Sequence, residues 1–141
     1  MKIQTQSGPV GQTSLLPFPF VVRFVISRDG VITDNRTGLH WAPDPGQRMT
    51  WNQADQYVRG LRLGGFSDWR LPDRVELRGL GIDVRDPAIK FTATTAWSSE
   101  LRDSSSAWVV NFGSNYPGGT KEDYCILETD IPHSPAVRSP R

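Results

Sequence analysis

The chain has 141 residues, a formal net charge of +1, five Trp and one Cys. Its length suits one domain with a single buried core. A charge near zero gives no general attraction to nucleic acid or membranes, one Cys excludes an internal disulfide framework, and no apolar run approaches the roughly 20 residues that span a bilayer. We therefore expect a globular domain with no nucleic-acid partner and no membrane insertion.

The first 19 residues are rich in Gln, Ser, Thr, Gly and Pro and contain no apolar signal-peptide core. This composition is typical of a disordered leader. It also fits an extended arm that docks on a neighbouring subunit, because four large apolar side chains would otherwise be exposed: Leu15, Leu16, Phe18 and Phe20. We divide the chain into an N-terminal arm (1–19) and a domain (20–141).

Short strands are predicted at the start of the domain. Residues 20–26 are β-branched and aromatic, and Asp29-Gly30 indicates a hairpin turn into a strand at residues 31–33. Residues 34–38 predict a second tight turn. The extended segment that follows begins at Leu39 and is cut short by prolines 43 and 45.

Two helices are predicted next. Thr50 and Gln53 fit a capping box, and apolar residues recur at helical spacing until a stop at Gly64. A second helix should run from its N-cap Asp73 to about Leu80. It should bury some combination of Val75, Leu77 and Leu80. Residues 83–95 have the composition of a loop.

The segment between the helices, residues 64–73, combines turn formers with large side chains and predicts a packed corner. Trp69 should fill the core, and Arg70 should be a buried guanidinium held by the carboxylate of Glu76. Trp97 and Trp108 are expected in the same core. The replacement Arg70→Ala should therefore reduce folding before it reduces binding.

The last third of the chain reads as β-structure. Residues 96–99 and 107–112 predict strands joined by a polar tip at 100–106. Trp108, Val110 and Phe112 share one face, which should point inward. Further strands are expected at 124–127 and 136–138. Strands, two helices and then strands together predict an α+β domain with antiparallel pairing.

Several of these motifs together resemble the Lcl C-terminal domain family, which is named after a bacterial collagen-like adhesin. They are residues 29–41, 65–72 with Glu76-Leu77, 97–99, 107–112 and 136–139. The resemblance implies a C-type-lectin-like fold, in which two helices flank antiparallel sheets and the terminal strands pair. It also implies an adhesive or ligand-binding role. Pro135 lacks an amide proton, so the last strand should be short or lie at a sheet edge.

The residues do not suggest enzymatic or metal chemistry. The Glu-Pro-Asn and Gln-Pro-Asp tripeptides of calcium-dependent lectins are missing from the sequence. The oxidase branch of this fold uses paired cysteines, which Cys125 alone does not supply. His40 and His133 have no Cys or His at ligand spacing. We expect no catalytic residue, no metal and no cofactor.

Binding residues are expected in two loops and on the helices. Polar and aromatic residues suited to recognition occur at the 100–106 tip and near the 114–119 turn: Arg102, Asp103, Ser104, Asn115, Tyr116 and Lys121. Ordinary hairpin tips would have a similar composition. Arg59 with Arg62, and Arg74 with Arg78, share helix faces and are candidates for an anion-binding patch. Acidic neighbours equally fit a mixed solvated surface.

These observations favour a non-enzymatic recognition module, displayed in several copies on a virion or fibre-like assembly and binding a glycan or other receptor. The missing signal peptide favours a virion or fibre component over a secreted adhesin, and the resemblance favours a trimer. A structural subunit locked to its neighbours by the arm is the first alternative. A cytoplasmic protein that binds a small ligand is the second.

Overall fold

The computed structural model describes residues 22–89, 94–131 and 135–140, which form seven strands, two α-helices and two short 3-10 helices. The elements in chain order are β1 Phe24–Ile26, β2 Ile32–Asp34, β3 His40–Trp41, α1 Trp51–Gly60, α2 Arg74–Leu80, a 3-10 helix Gly81–Arg85, β4 Thr95–Asp103, β5 Ser106–Phe112, a 3-10 helix Pro117–Gly119, β6 Thr120–Ile126 and β7 Val137–Arg138. All strand pairs are antiparallel, which confirms the predicted α+β class.

The first sheet has the strand order β1-β2-β3-β7. The predicted hairpin joins β1 to β2, and Gly30 at its turn has φ of +92°, a conformation that glycine adopts without strain. Asp34, at the end of β2, is fully buried and accepts two hydrogen bonds from the Arg23 guanidinium, each 2.9 Å long. Arg23 also reaches Asp83, 2.8 Å away. This charge cluster ties the sheet to the 3-10 helix inside the predicted 83–95 loop.

The last strand, β7, has two residues and lies at the edge of this sheet, as Pro135 predicted. Among the described residues, the last strand does not pair with the first, and the expected pairing of the terminal strands stays a prediction because residues 1–21 lie outside the described part. β7 pairs with β3, in the register His40↔Arg138, and β1 lies at the opposite edge. The other side of β7 is occupied by the corner, because Arg70 and Val137 exchange two backbone hydrogen bonds of 2.9 Å.

The second sheet has the order β4-β5-β6 and confirms the predicted strands around Trp97 and Val109. Its strands are longer than expected. The predicted polar tip at 100–106 is wrong, because β4 continues to Asp103 and β5 starts at Ser106. Two register irregularities in β4 accommodate the polar residues of this extension.

Both helices begin as predicted. Thr50 caps α1 and Asp73 caps α2, each with a complete capping box. The predicted end of α1 at Gly64 is wrong: the helix ends at Gly60, because Leu61 is extended (φ −70°, ψ 134°). Gly64 instead turns the chain between Leu63 and Phe66, where a Cβ would lie 2.4 Å from Val31 Cγ2. Close packing, rather than helix termination, requires glycine there.

The core lies on both faces of the second sheet. One cluster joins Leu77 and Leu80 of α2 to Val110 and Phe112, and the other packs α1 against the opposite face. Val75 is 64% exposed. The predicted inward face of β5 is therefore correct for Val110 and Phe112, whereas Trp108 is half-buried and lies under the Arg74 guanidinium of α2. In the part of the chain that the structure describes, no helix has the length and hydropathy to cross a bilayer.

Candidate functional site

The corner between the helices is a structural brace. Trp69 is 3% exposed and donates its indole N–H to the Leu63 carbonyl, while Trp97 is fully buried and donates to Met49. The Arg70 guanidinium makes two parallel hydrogen bonds to the two Glu76 carboxylate oxygens, each 2.8 Å long. It also donates to Ser139 Oγ at 3.0 Å. The predicted Arg70–Glu76 pair is therefore present and joins α2 to the segment after β7.

Arg70 is not buried as predicted, since its side chain is 42% exposed, whereas the Glu76 side chain is 14% exposed. Burial acts to raise the pKa of Glu76, but hydrogen bonds from Arg70 and from the Asp73 amide outweigh it and lower the pKa. Glu76 is thus a stabilised carboxylate and not a proton donor near neutral pH.

A second arginine brace, which the sequence did not reveal, lies beside the corner. Arg138 of β7 is 7% exposed, donates to Asp68 at 2.6 Å and stacks on the Phe66 ring at 3.6 Å. Its Nη1 lies 2.8 Å from His40 Nδ1. Burial and the Arg138 charge lower the pKa of His40, which favours a neutral imidazole. Sequence spacing gave no signal, because Asp68 and Arg138 lie 70 positions apart.

The tip of the β4–β5 hairpin holds three of the predicted binding residues. Asp103 Oδ1 accepts hydrogen bonds from the Ser105 amide at 2.9 Å and from Ser106 Oγ at 2.9 Å. These bonds lower the pKa of Asp103, and the hydrogen bond from the Ser105 amide is the largest cause. Asp103 therefore organises the turn, while Arg102 and Ser104 are exposed beside it.

An aromatic and arginine surface adjoins this tip, and we name it the hairpin face: Arg102, Trp108, Tyr124 and Ile126. Trp108 and Tyr124 are cross-strand neighbours with ring centroids 6.0 Å apart, and the Arg102 guanidinium lies 3.7 Å from the Tyr124 centroid. Tyr124 is 47% exposed and Ile126 is 61% exposed. The face is held on paired strands, so its side chains are presented by a rigid scaffold.

The remaining predicted loop residues lie elsewhere. Asn115 and Tyr116 belong to the β5–β6 connection, and Lys121 is next to it on β6. That connection is separated from the hairpin tip by the length of β5, about 20 Å at 3.4 Å per residue. The structure therefore does not bring the two predicted groups together, because successive turns of an antiparallel sheet lie at opposite ends.

The four arginines predicted on the helices do not form one patch. Arg59 is exposed on α1 and pairs with Asp55, whereas the predicted helical position of Arg62 is wrong, because Arg62 is exposed beyond the helix end at Gly60. Arg74 and Arg78 lie on α2, on the other side of the second sheet, and both pair with Glu122. Arg74 also pairs with Glu100 at 2.8 Å and lies 4.3 Å from the Trp108 ring centroid. The α2 arginines are therefore neutralised and border the hairpin face as part of a charge network.

No group of three His, Cys, Asp or Glu side chains suited to a metal occurs among the residues that the structure describes. Cys125 is partly buried. Its burial, and to a smaller extent the charge of Asp123, raise the pKa of the thiol, so the thiol is not activated as a nucleophile. The docking-arm residues Leu15, Leu16, Phe18 and Phe20 lie outside the described residues.

Tyr124 and Ile126 are the recognition candidates that sequence reasoning missed. Their alternate spacing places them on one face of β6, but that pattern also fits a core-facing strand. Their exposure depends on where α2 stops along the sheet, which no local pattern specifies.

Comparison with known proteins identifies one family. The model of the Lcl C-terminal domain matches residues 30–127, which is most of the chain, and the chain belongs to that family. A search of curated proteins found no match. The matched range includes both helices, the whole second sheet and all of the hairpin face.

Proposed function

From its membership of the Lcl C-terminal domain family, we propose that this chain is a non-enzymatic recognition module that binds a surface glycan through the hairpin face. The observation that carries the proposal is the exposed Tyr124 ring, held between Arg102 and Trp108 on paired strands. Aromatic faces pack against the apolar faces of sugar rings, and neighbouring guanidinium groups donate hydrogen bonds to hydroxyls. The naming of the family after an adhesin supports this role.

The charges around the hairpin face favour a neutral or weakly charged glycan. Arg102 pairs with Asp103 at 3.1 Å, and Arg74 and Arg78 pair with Glu100 and Glu122. Three cations and three carboxylates leave no local positive excess. Binding should therefore depend weakly on salt between about 0.05 and 0.5 M, the range over which added salt would progressively screen an attraction between net charges.

We further propose that the module is displayed in several copies, with a trimer favoured, on a virion or another extracellular surface assembly. A shallow aromatic face makes few contacts with one sugar, so a single site should bind weakly. Several linked copies convert weak single contacts into useful avidity without any new contact. The arm at residues 1–19 is the proposed link to neighbouring subunits.

The test is glycan-array binding by the full chain and by two matched tyrosine variants. Tyr124→Ala removes the ring at the centre of the hairpin face, and we expect at least about a tenfold loss of apparent affinity. Tyr116→Ala removes a tyrosine from the opposite end of the sheet and should bind like the wild type. Arg102→Ala should reduce binding less than Tyr124→Ala, because its charge is already paired with Asp103.

The pair of tyrosine variants separates the possible outcomes. If Tyr124→Ala binds as well as the wild type, and circular dichroism shows that both proteins are folded, then the hairpin face is not the glycan-binding site. Loss of binding in Tyr116→Ala alone would assign recognition to the β5–β6 connection. Absence of binding to any glycan at multivalent density would contradict glycan recognition itself.

A further inference from the structure

Two depressions lie beside α1 on the other side of the molecule and share Tyr57 in their linings, and we name the two together the groove. The polar part is about 460 Å³ and is lined by Gln47, Arg48, Gln53 and Gln56, with Met49 and Tyr57. The apolar part is about 260 Å³ and is lined by Ala42, Pro43, Asp44, Pro45, Leu61 and Leu63, again with Tyr57. The groove lies on the opposite face of the second sheet from the hairpin face, because α1 packs against that side.

The polar part of the groove offers side-chain amides for hydrogen bonding, whereas the apolar part offers space for a hydrophobic side chain. Within the described part of the chain, the side-chain amides of Gln47 and Gln56 make no hydrogen bond, and both residues are exposed. The apolar part is far larger than the roughly 30 Å³ of a water molecule and presents mainly carbon atoms, so it suits a Leu or Phe side chain better than solvent. Burial raises the pKa of Tyr57, so its phenol stays neutral and can accept or donate a hydrogen bond.

We propose that this groove binds residues 12–20 of this same chain, which lie outside the described residues. The segment reads Gln12-Thr13-Ser14 followed by Leu15-Leu16-Pro17-Phe18-Pro19-Phe20, a polar half next to an apolar half. The groove likewise has a polar part and an apolar part, which meet at Tyr57. Gln12 to Ser14 would exchange hydrogen bonds with the free amides, and the leucine and phenylalanine side chains would fill the apolar part.

Charge also selects this occupant. The sequence between Lys2 and Arg23 contains no charged residue and no histidine. The groove lining contains one cation, Arg48, which donates to the Asp130 carbonyl at 2.8 Å, and one carboxylate, Asp44. The lining carries no net charge, so an uncharged segment can enter the groove without bringing in a charge that needs a partner.

The prolines reduce the entropy lost on docking. Pro17 and Pro19 restrict φ in the segment, and Pro43 and Pro45 do so in the groove wall. Aromatic and proline-lined grooves are a common means of binding extended proline-containing peptides for this reason. The inference is independent of the hairpin face, since it concerns a different surface and a different partner.

The experiment uses the full chain with a photo-crosslinking residue, Phe18→benzoylphenylalanine. After irradiation, peptide mapping should locate the cross-links within residues 42–63. The same replacement at Val75, an exposed position on α2, is the control and should give no cross-link to that range. A product of single mass shows that the segment fills its own groove, and one of double mass shows that it fills the groove of a neighbouring copy. Both results support docking of the segment in this groove, and only the double mass also supports the arm as the link between subunits.

A second variant tests the groove residues themselves. Adding Tyr57→Ala to the cross-linking chain should lower the yield several-fold, while circular dichroism and thermal unfolding confirm that the domain is folded. Cross-links outside 42–63, or none, would overturn the proposal and leave the groove to another ligand. An undiminished yield with Tyr57→Ala would overturn the assignment of the segment to this groove.

Discussion

Arg70→Ala tests the brace between α2 and the segment after β7. The replacement removes both 2.8 Å hydrogen bonds to Glu76 and the 3.0 Å bond to Ser139. Breaking a fully buried ion pair costs about 3–5 kcal/mol, and an exposed pair contributes about 0–1 kcal/mol. Because Arg70 is 42% exposed and Glu76 is 14% exposed, we expect a loss of about 2 kcal/mol in the free energy of unfolding.

The loss should depend on pH in a defined direction. The folded protein lowers the pKa of Glu76 below its ordinary value of 4.5, so this carboxylate stabilises the fold at pH values above 4.5. That stabilisation disappears as the pH falls through the lowered pKa. The difference between the wild type and Arg70→Ala should therefore be greatest near neutral pH and shrink in acid. Part of the pKa shift should remain in the variant, because the Asp73 amide still donates to Glu76.

The assay is urea unfolding followed by tryptophan fluorescence at several pH values, with two controls. Arg62→Ala removes an exposed arginine bonded to backbone carbonyls and should change stability by less than about 0.5 kcal/mol. Glu76→Gln completes a double-mutant cycle, in which we expect a coupling energy of about 1–2 kcal/mol. A stability loss under about 0.5 kcal/mol for Arg70→Ala, or one that does not change with pH, would refute the reasoning.

Three further replacements test the local structure by the same unfolding assay. Thr50→Ala removes the α1 cap and should cost about 1 kcal/mol; no change would mean that the helix start does not depend on the cap. Leu77→Ala truncates a fully buried side chain and should cost about 3 kcal/mol; a cost below about 1 kcal/mol would contradict its place in the core. Gly64→Ala should cost more than Gly38→Ala, because both have positive φ but the added methyl at position 64 meets Val31; equal costs would refute the packing argument.

Elements whose signals lie within a few residues were predictable from the sequence. The partners in the capping boxes at Thr50 and Asp73 are three positions apart, and the Asp29-Gly30 turn involves adjacent residues. The Arg70–Glu76 partners are six positions apart, and their pairing follows from the capping geometry, because Glu76 occupies the third position of α2. In each case the interacting groups are brought together by one turn of backbone, so residue type and spacing suffice.

The candidate site was predictable in part. The composition of the 100–106 segment indicated Arg102 as an exposed polar residue, but it also grouped that segment with Asn115 and Tyr116. The antiparallel sheet places those two groups at opposite ends of β5. The prediction of an anion-binding patch on the helices failed for a related reason, because Glu122, the carboxylate that neutralises Arg78, lies 44 positions away in the sequence. Whether these arginines are free to bind an anion depends on which carboxylates the strand register places beside them.

By itself, the sequence determined the α+β class, the helix starts, the tight turns and the packed corner around Trp69, because local backbone preferences and hydrophobic periodicity specify them. Only the tertiary structure decided which surfaces remain open. The end of α1 at Gly60, the pairing of buried Arg138 with exposed Asp68 and the exposure of Tyr124 all depend on contacts between segments distant in the chain. Such contacts arise from sheet register and helix placement, and side-chain burial is the result of how those elements pack together.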